Sequence, residues 1–315
     1  MLWESVIIEK ESSWYNGKGY GRISESRTDD KTVWAGYNVK RAEYGRRENS
    51  MITSTANQQV KHLIQLQNKA KLRDEEGVFV LEGRKVFDEL RKYRPQFLVM
   101  TYLSESFYKQ ITENEPEYLD GIPYEILADN VFKEAAETVT PQGILAIVKQ
   151  PKYELEELLC GGDTESSLRF IFLENLRDPG NLGTILRTAE GAGMTGVILS
   201  KGSVDIFNPK VIRSTMGSIF RVPFLYVEDT LATMQQLQRH GVKLYAAYLS
   251  GSEEYDKISY ANRSAIMIGN EANGLLSETA EAADVRVRIP MAGELESLNA
   301  AVAAAILMYH TRIGC

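Results

Sequence analysis

Five polar side chains stand where three stretches each pass from an apolar run into a glycine-bearing loop. Asn175 and Arg187 lie in NLRDPGNLGTILRTAEGAG (175–193), Glu271 in IMIGNEANGLLSE (266–278), and Ser297 and Asn299 in RIPMAGELESLNAAVAAAI (288–306). An always-charged arginine, a carboxylate, a hydroxyl and two carboxamides can hold and orient a ligand by charge and hydrogen bonding. Gly269 and Gly274 would let that ligand come close to the backbone. Each stretch alone also has a plain structural reading. Arg187 could be a surface arginine paired with Glu190 or a neighbour, and Glu271 a solvated carboxylate in a turn. Ser297 or Asn299 could simply cap a helix, and the alanine run 300–305 is what high helix propensity asks for. The three share one order: strand end, glycine loop, polar residue, helix start. That order builds a binding crevice at the edge of an open α/β sheet.

The elements needed to position these residues can be read from the apolar runs. RFIFLE (169–174), GVILS (196–200), VPFLYV (222–227), VKLYAAYL (242–249), SAIMIG (264–269) and DVRVRIP (284–290) lack strict alternation. This suits strands of a parallel sheet buried on both faces. Helical patterns fall between them, and a last helix covers 297–313. Asp178-Pro179-Gly180-Asn181 has turn composition, and the following helix puts Leu182, Ile185, Leu186 and Ala189 on one stripe with Arg187 off it. Gly191-Ala192-Gly193-Met194-Thr195-Gly196 spells G-x-G-x-x-G, but it follows a helix and precedes a strand. That reverses a dinucleotide fingerprint, so it predicts a helix cap and turn, not a nicotinamide site.

Upstream, strands at 78–83, 96–103, 123–127 and 143–150 alternate with helices at 84–93, 104–114 and 129–138, which predicts a second α/β layer. Asn57 is a candidate N-cap for a helix with Val60, Leu63, Ile64 and Leu66 on its apolar stripe. PKYELEELLCGGDTESSL (151–168) has linker composition. Residues 1–50 differ in composition from the rest, and either Met51 is the natural start or 1–50 forms a loosely structured extension. The expected division is 1–50, 51–150, a linker at 151–168, and 169–315.

With 315 residues, 43% of them hydrophobic, the chain is long enough for two globular units. No apolar run reaches the roughly 18 to 20 residues of a membrane span, and the first residues lack a secretory pattern, so the expected location is cytoplasmic. Cys160 and Cys315 are too few and too far apart for a disulfide framework or a zinc site, and His62, His240 and His310 are scattered. No metal is expected. The net charge of −7 weighs against nucleic acid as a whole-chain sum, yet a basic face can sit on an acidic protein. Lys61, Arg73, Arg84 and Lys85 belong to a basic cluster over 57–94. It reads either as an RNA-facing patch or as the solvated faces of two helices.

N-x-x-D-P-x-N-x-G-x-I-x-R-T-A, G-N-E-x-x-G-L and I-P-M-x-G-x-x-x-S-L-N-x-x-x-A, in that order, resemble the three motifs of SpoU/TrmH-type (SPOUT superfamily) RNA 2′-O-ribose methyltransferases. IFNPKVIRSTMGSIFRVP (206–223) is similar to the family as well, so the resemblance covers about 169–313. Residues 51–150, including PQGILAIV (141–148), more loosely resemble the ribosomal-protein L30e-like substrate-binding domain often fused to these enzymes. The resemblance implies a parallel-sheet C-terminal domain with a deep trefoil knot, an N-terminal L30e-like α/β domain, and a homodimer. It implies S-adenosylmethionine as cofactor, lying against the loops at Gly269, Gly274, Ile289, Pro290, Met291 and Leu298. Arg187 would be the catalytic residue, with Asn175, Glu271, Ser297 and Asn299 completing the site.

The implied reaction methylates a ribose 2′-hydroxyl, in ribosomal RNA (23S) as first expectation and transfer RNA as second, with neither DNA nor membrane as partner. A 2′-hydroxyl must lose its proton and be held about 3 to 3.5 Å from the methyl carbon. Two roles fit Arg187: base, assisted by an RNA phosphate, or electrostatic stabiliser of the developing alkoxide. The contrasting expectation is a non-catalytic RNA-binding ribosome-assembly factor on the same scaffold. An oxidoreductase is disfavoured by the reversed glycine motif.

Overall fold

The computed structural model describes residues 51–160 and 167–313. The expectations about 1–50, the middle of the 151–168 stretch and Cys315 lie outside these residues. Asn57 caps helix α1 (Gln58–Asn68), its side chain accepting from the Gln59 N–H at 2.8 Å. The stripe buries Val60, Leu63 and Leu66. Lys69 takes an extended conformation and splits off α2 (Ala70–Glu76), which stops at Gly77 with φ 62°. Then come β1 (Val78–Glu82), α3 (Arg84–Tyr93), β2 (Leu98–Ser104), α4 (Glu105–Asn114), β3 (Tyr124–Leu127), α5 (Asp129–Ala135) and β4 (Ile144–Lys149). The strands form a sheet in the order β1-β4-β2-β3, with β4 antiparallel to β1 and β2, and β2 parallel to β3. Alternation along β1 sends Val78 and Val80 to one core and Phe79 and Leu81 to another. Both faces are therefore covered.

The stretch with linker composition contains helix α6 (Leu155–Cys160). Leu155 and Leu159, one helical turn apart, are buried in a core of the second sheet, so this part of the stretch is packed rather than free. The second unit continues with β5 (Leu168–Leu173), α7 (Pro179–Ala192), β6 (Gly196–Ser200), α8 (Pro209–Thr215), β7 (Phe224–Val227), α9 (Thr230–Arg239), β8 (Lys243–Ala247), β9 (Glu253–Glu254), β10 (Arg263–Ile268), α10 (Ser277–Ala282), β11 (Val285–Arg288) and α11 (Ala300–Ile313). Seven strands line up as β7-β6-β5-β10-β8-β11-β9, all parallel. On β5, Ile171 and Leu173 enter one core and Phe170 and Phe172 the other. Full burial of such side chains stabilises by about 1.5 to 3 kcal/mol each. Chain order reverses between β6 and β10 on either side of β5, and open α/β sheets bind ligands beyond the strand C-termini at such a point.

The two sheets share a packed junction. Phe79 of β1 stacks on Phe207 at 5.0 Å, and Phe207 meets Phe224 edge-on at 5.7 Å. Arg213 pairs with Glu137 at 2.5 Å and lies 3.8 Å from Glu82. Arg73 is 3% exposed and donates to the carbonyls of Leu66 and Gln67 and to Asp205. Its place in an RNA-facing patch is therefore corrected. Its guanidinium is enclosed at the junction because α2 turns it inward, which a count of basic residues cannot register.

Candidate active site

Asp178-Pro179-Gly180-Asn181, expected as a turn, is the start of a helix. The Asp178 side chain accepts from the Asn181 N–H at 2.7 Å and Pro179 opens α7. Asp as N-cap followed by Pro at the first helical position is a favoured helix start. The far end closes at Gly193, φ 70°, whose N–H returns to Ala189 and Glu190. The G-x-G-x-x-G string is thus a helix cap, as its position predicted.

Three loops at the C-terminal edge of the parallel sheet converge on Asn181. Glu271, in the loop after β10, accepts from the Asn181 amide at 3.0 Å and from the N–H groups of Asp178 and Arg177 at 3.0 and 3.2 Å. Asn299, at the start of α11, donates its amide to Asn181 Oδ1 at 2.9 Å. Its own Oδ1 caps α11 by accepting from the Ala301 N–H at 2.9 Å. Glu271 and Asn299 thus meet through one residue that the motif strings contained but the sequence reading did not single out. An asparagine among the apolar positions of a helix was the available signal. Partial burial pushes the Glu271 carboxyl up, but the Asn181 amide and the donated N–H groups outweigh it and hold the group below its ordinary value.

Glu174, at the end of β5, is 2% exposed and accepts from the Leu276 N–H at 2.8 Å and the Thr279 hydroxyl at 2.6 Å. It pins the far side of the β10 loop. Asn270 pins the near side, donating to the Asn175 carbonyl at 2.8 Å and exchanging backbone bonds with Gly274. At Gly269 a Cβ would sit 2.0 Å from the Gly274 carbonyl carbon, so only glycine allows this closure. Gly274 has φ 68°, a conformation that glycine supplies at no steric cost.

Asn175 is the other left-handed residue here, at φ 54°, a region asparagine tolerates better than most residues. Its N–H donates to the Ser200 hydroxyl at 2.8 Å, and its side chain lies over Gly202, where a Cβ would come within 2.0 Å of Asn175 Oδ1. The Asn175 side chain thus serves the β6 edge, while its backbone joins the β10 loop. Arg187 is exposed on α7 with no side-chain hydrogen bond or ion pair among the described residues. Ser297 is also exposed and its hydroxyl has no such partner, so of the two candidate caps Asn299 is the one used.

Ile289, Met291 and Leu298 are half-buried, Pro290 is exposed, and the nearby Leu276 is 48% exposed. Gly269 and Ile289 directly follow β10 and β11, which flank β8, so they stand about 10 Å apart, two strand spacings. Half-open apolar side chains beside glycine-rich backbone fit a cofactor with a flat apolar ring and a polar rim.

Of the remaining basic candidates, Lys61 and Lys85 are exposed. Arg84 is held by Glu115 at 2.5 Å and lies 4.9 Å from the Tyr118 ring centre. Arg84, Lys85, Phe107, Gln110 and Gln142 line a shallow cleft at the start of α3.

The profile of the SpoU rRNA methylase family matches residues 169–309, and that of the MRM3-like substrate binding domain matches residues 57–146. The chain is 34% identical over 261 residues to the 23S rRNA (guanosine(2553)-2′-O)-methyltransferase RlmP of Bacillus subtilis, covering 83% of this chain and 98% of that one. The crystal structure of an AdoMet-bound rRNA methyltransferase from Sinorhizobium meliloti superposes with TM-score 0.71 at 30% identity, covering 84% of this chain and 97% of that one. A solved RNA 2′-O ribose methyltransferase gives TM-score 0.69 at 29% identity over 83% and 98%. Motifs, parallel sheet and relatives agree, and the chain belongs to the SpoU rRNA methylase family.

Proposed function

We propose that this protein transfers a methyl group from S-adenosylmethionine to a ribose 2′-hydroxyl, with ribosomal RNA as substrate. The observation that carries the reading is Arg187. It is an exposed guanidinium with no ion pair among the described residues, on the helix whose first turn anchors the three motif loops. The relatives named above, one with AdoMet bound, support the cofactor and the RNA class.

The cofactor, when bound, supplies an electrophilic sulfonium methyl. The chain's residues do the rest. The loops at Gly269–Gly274 and Ile289–Leu298 orient the cofactor, largely through backbone. Glu271, Asn181 and Asn299 fix those loops relative to α7. Arg187 acts on the 2′-hydroxyl, taking its proton or stabilising the alkoxide that forms. Ser297 and Asn175 complete the rim. Residues 51–150 bind RNA through Lys61, Lys85 and the edge of Arg84, and residues 169–315 carry the chemistry.

The reading includes the deep C-terminal trefoil knot, a cytoplasmic location and a homodimer. The dimer is supported by Val302 and Tyr309, 48% and 36% exposed on α11. The test is transfer of labelled methyl to ribosomal RNA from cells lacking the gene. Wild type should place label in alkali-stable 2′-O-methyl linkages, and Arg187→Ala should bind cofactor without transferring. Cofactor binding without transfer by wild type, on naked and assembled ribosomal RNA alike, would refute the ribosomal assignment. Neither binding nor transfer would favour a non-catalytic RNA-binding factor.

A further inference from the structure

Glu190 follows Arg187 by three residues on α7, a spacing at which side chains of opposite charge meet on a helix. They do not pair here. Both oxygens of Glu190 are taken by Arg221, Nε on Oε1 at 2.5 Å and Nη2 on Oε2 at 2.9 Å. The Ser218 hydroxyl adds a bond to Oε2 at 2.6 Å. A two-pronged arginine–carboxylate contact is among the stronger and more directional ones. Arg221 is itself held from the other sheet: its Nη1 contacts Glu89 of α3, and its guanidinium carbon lies 4.7 Å from the Tyr93 ring centre. Gly217, at φ 92°, makes room for this, since a Cβ there would lie 2.6 Å from Glu89 Cγ.

We propose that Arg221 is a positioning residue for methyl transfer: by holding Glu190 against the sheet junction it keeps the Arg187 guanidinium free for the 2′-hydroxyl. The inference rests on the reading that Arg187 acts on that hydroxyl. Releasing Glu190 from Arg221 would leave its carboxylate oxygens open to Arg187, three residues away on the same helix. The resulting pair would screen the charge of Arg187 and tie down its side chain. Because Glu89 belongs to α3, the clamp also makes the state of Arg187 depend on the seating of residues 51–150.

The test compares Arg221→Gln with Arg221→Gln/Glu190→Gln in single-turnover methyl transfer to ribosomal RNA. Thermal unfolding and cofactor affinity serve as checks on folding. Arg221→Gln should lower the transfer rate about fivefold to tenfold while the KM for RNA moves less than about twofold. Removing the carboxylate as well should restore the rate to within about twofold of wild type. A purely structural role predicts the opposite, because the double variant loses more of the junction than the single one. The proposal is overturned if Arg221→Gln transfers at the wild-type rate, or if the double variant is no faster than the single. Should Arg221→Gln fail to fold, Ser218→Ala replaces it, with a smaller loss that Glu190→Gln again reverses; no loss, or no reversal, overturns the proposal. If Arg187→Ala itself transfers normally, the reading beneath the inference has failed, whatever Arg221 does.

Discussion

Asn299 donates its amide hydrogen to Asn181 across 2.9 Å, and the partners are 118 residues apart. At the other end of the same two helices, a Cβ on Gly191 would meet the Tyr309 hydroxyl at 2.8 Å, with the same sequence offset. Helices α7 and α11 therefore run side by side in the same direction, and the first and third motifs are held in register along their length.

That register separates two roles of Asn299. Asn299→Asp keeps an oxygen to cap α11 but loses the donor to Asn181 and adds a charge beside its carbonyl. Asn299→Ala loses both. The alanine variant should be less stable by about 1 kcal/mol from the lost cap. The aspartate variant should melt near wild type while its cofactor affinity falls about tenfold, one hydrogen bond's worth. Calorimetric titration beside thermal unfolding distinguishes the two; equal affinities would remove Asn299 from the site.

Two glycines of one loop should respond to alanine with different severity. Gly269→Ala puts a Cβ 2.0 Å from backbone, whereas a Cβ at Gly274 meets nothing within 4 Å and pays only for its φ of 68°. The second change should cost about 1 to 2 kcal/mol. The first must open the loop, and cofactor binding should be lost while most of the fold persists. Gly269→Ala binding as well as Gly274→Ala would contradict the loop geometry.

The depressed carboxyl of Glu271 gives a pH signature. A group whose folded pKa lies below its unfolded value, about 4.3 for glutamate, contributes stability that is present above that unfolded value. The contribution is lost as pH falls through the lower folded value. Stability profiles of wild type and Glu271→Gln should therefore differ by a constant amount above the unfolded value and converge only once pH has fallen below the depressed folded value. A gap that persists in acid would mean that packing, not charge, is what Glu271 supplies.

Lys85 and Arg73 test the RNA face. Lys85→Glu should weaken RNA binding and flatten its salt dependence. Arg73→Gln should leave that slope alone but destabilise the fold by about 2 kcal/mol. Its loss strands Asp205, whose side chain is 25% exposed, and solvent moderates the penalty of a fully buried broken pair. Nitrocellulose filter binding from low to moderate salt, with denaturant melts alongside, gives both numbers.

Val302→Arg places a charge on the exposed face of α11. If that face joins two copies, light scattering should show the variant at half the wild-type mass. An unchanged mass would place the interface elsewhere.

The strands were legible because most bury both faces and need uninterrupted apolar runs, as in RFIFLE and SAIMIG. The loops were legible because glycines and polar residues follow those runs in a fixed order. What escaped depends on partners distant in sequence. Arg73 looked like part of a basic patch, and only its contact with Asp205 shows it turned inward. Asp178 reads as a turn residue until the Asn181 N–H is seen to point at it. Leu155 and Leu159 lay inside a stretch of linker composition, where two leucines weigh less than nearby glycines and serines. Asn181 and Glu190 matter through bonds to Asn299 and Arg221, and no local pattern announces such pairs.

The order of the seven strands has a consequence for synthesis on the ribosome. Strands β5, β6 and β7 can pair as soon as they emerge, but β8 emerges next with its lasting neighbours, β10 and β11, still unmade. Until β10 arrives, β5 and β8 both keep an unpaired edge that another nascent chain could occupy. Strand β10 then enters between them, carrying Gly269 and Glu271 at its end. The cofactor crevice is thus assembled by an insertion into the middle of the sheet, late and over long sequence separations, which slows folding. Chaperone dependence and yield at elevated temperature should track the sequence of β10 more closely than that of any outer strand.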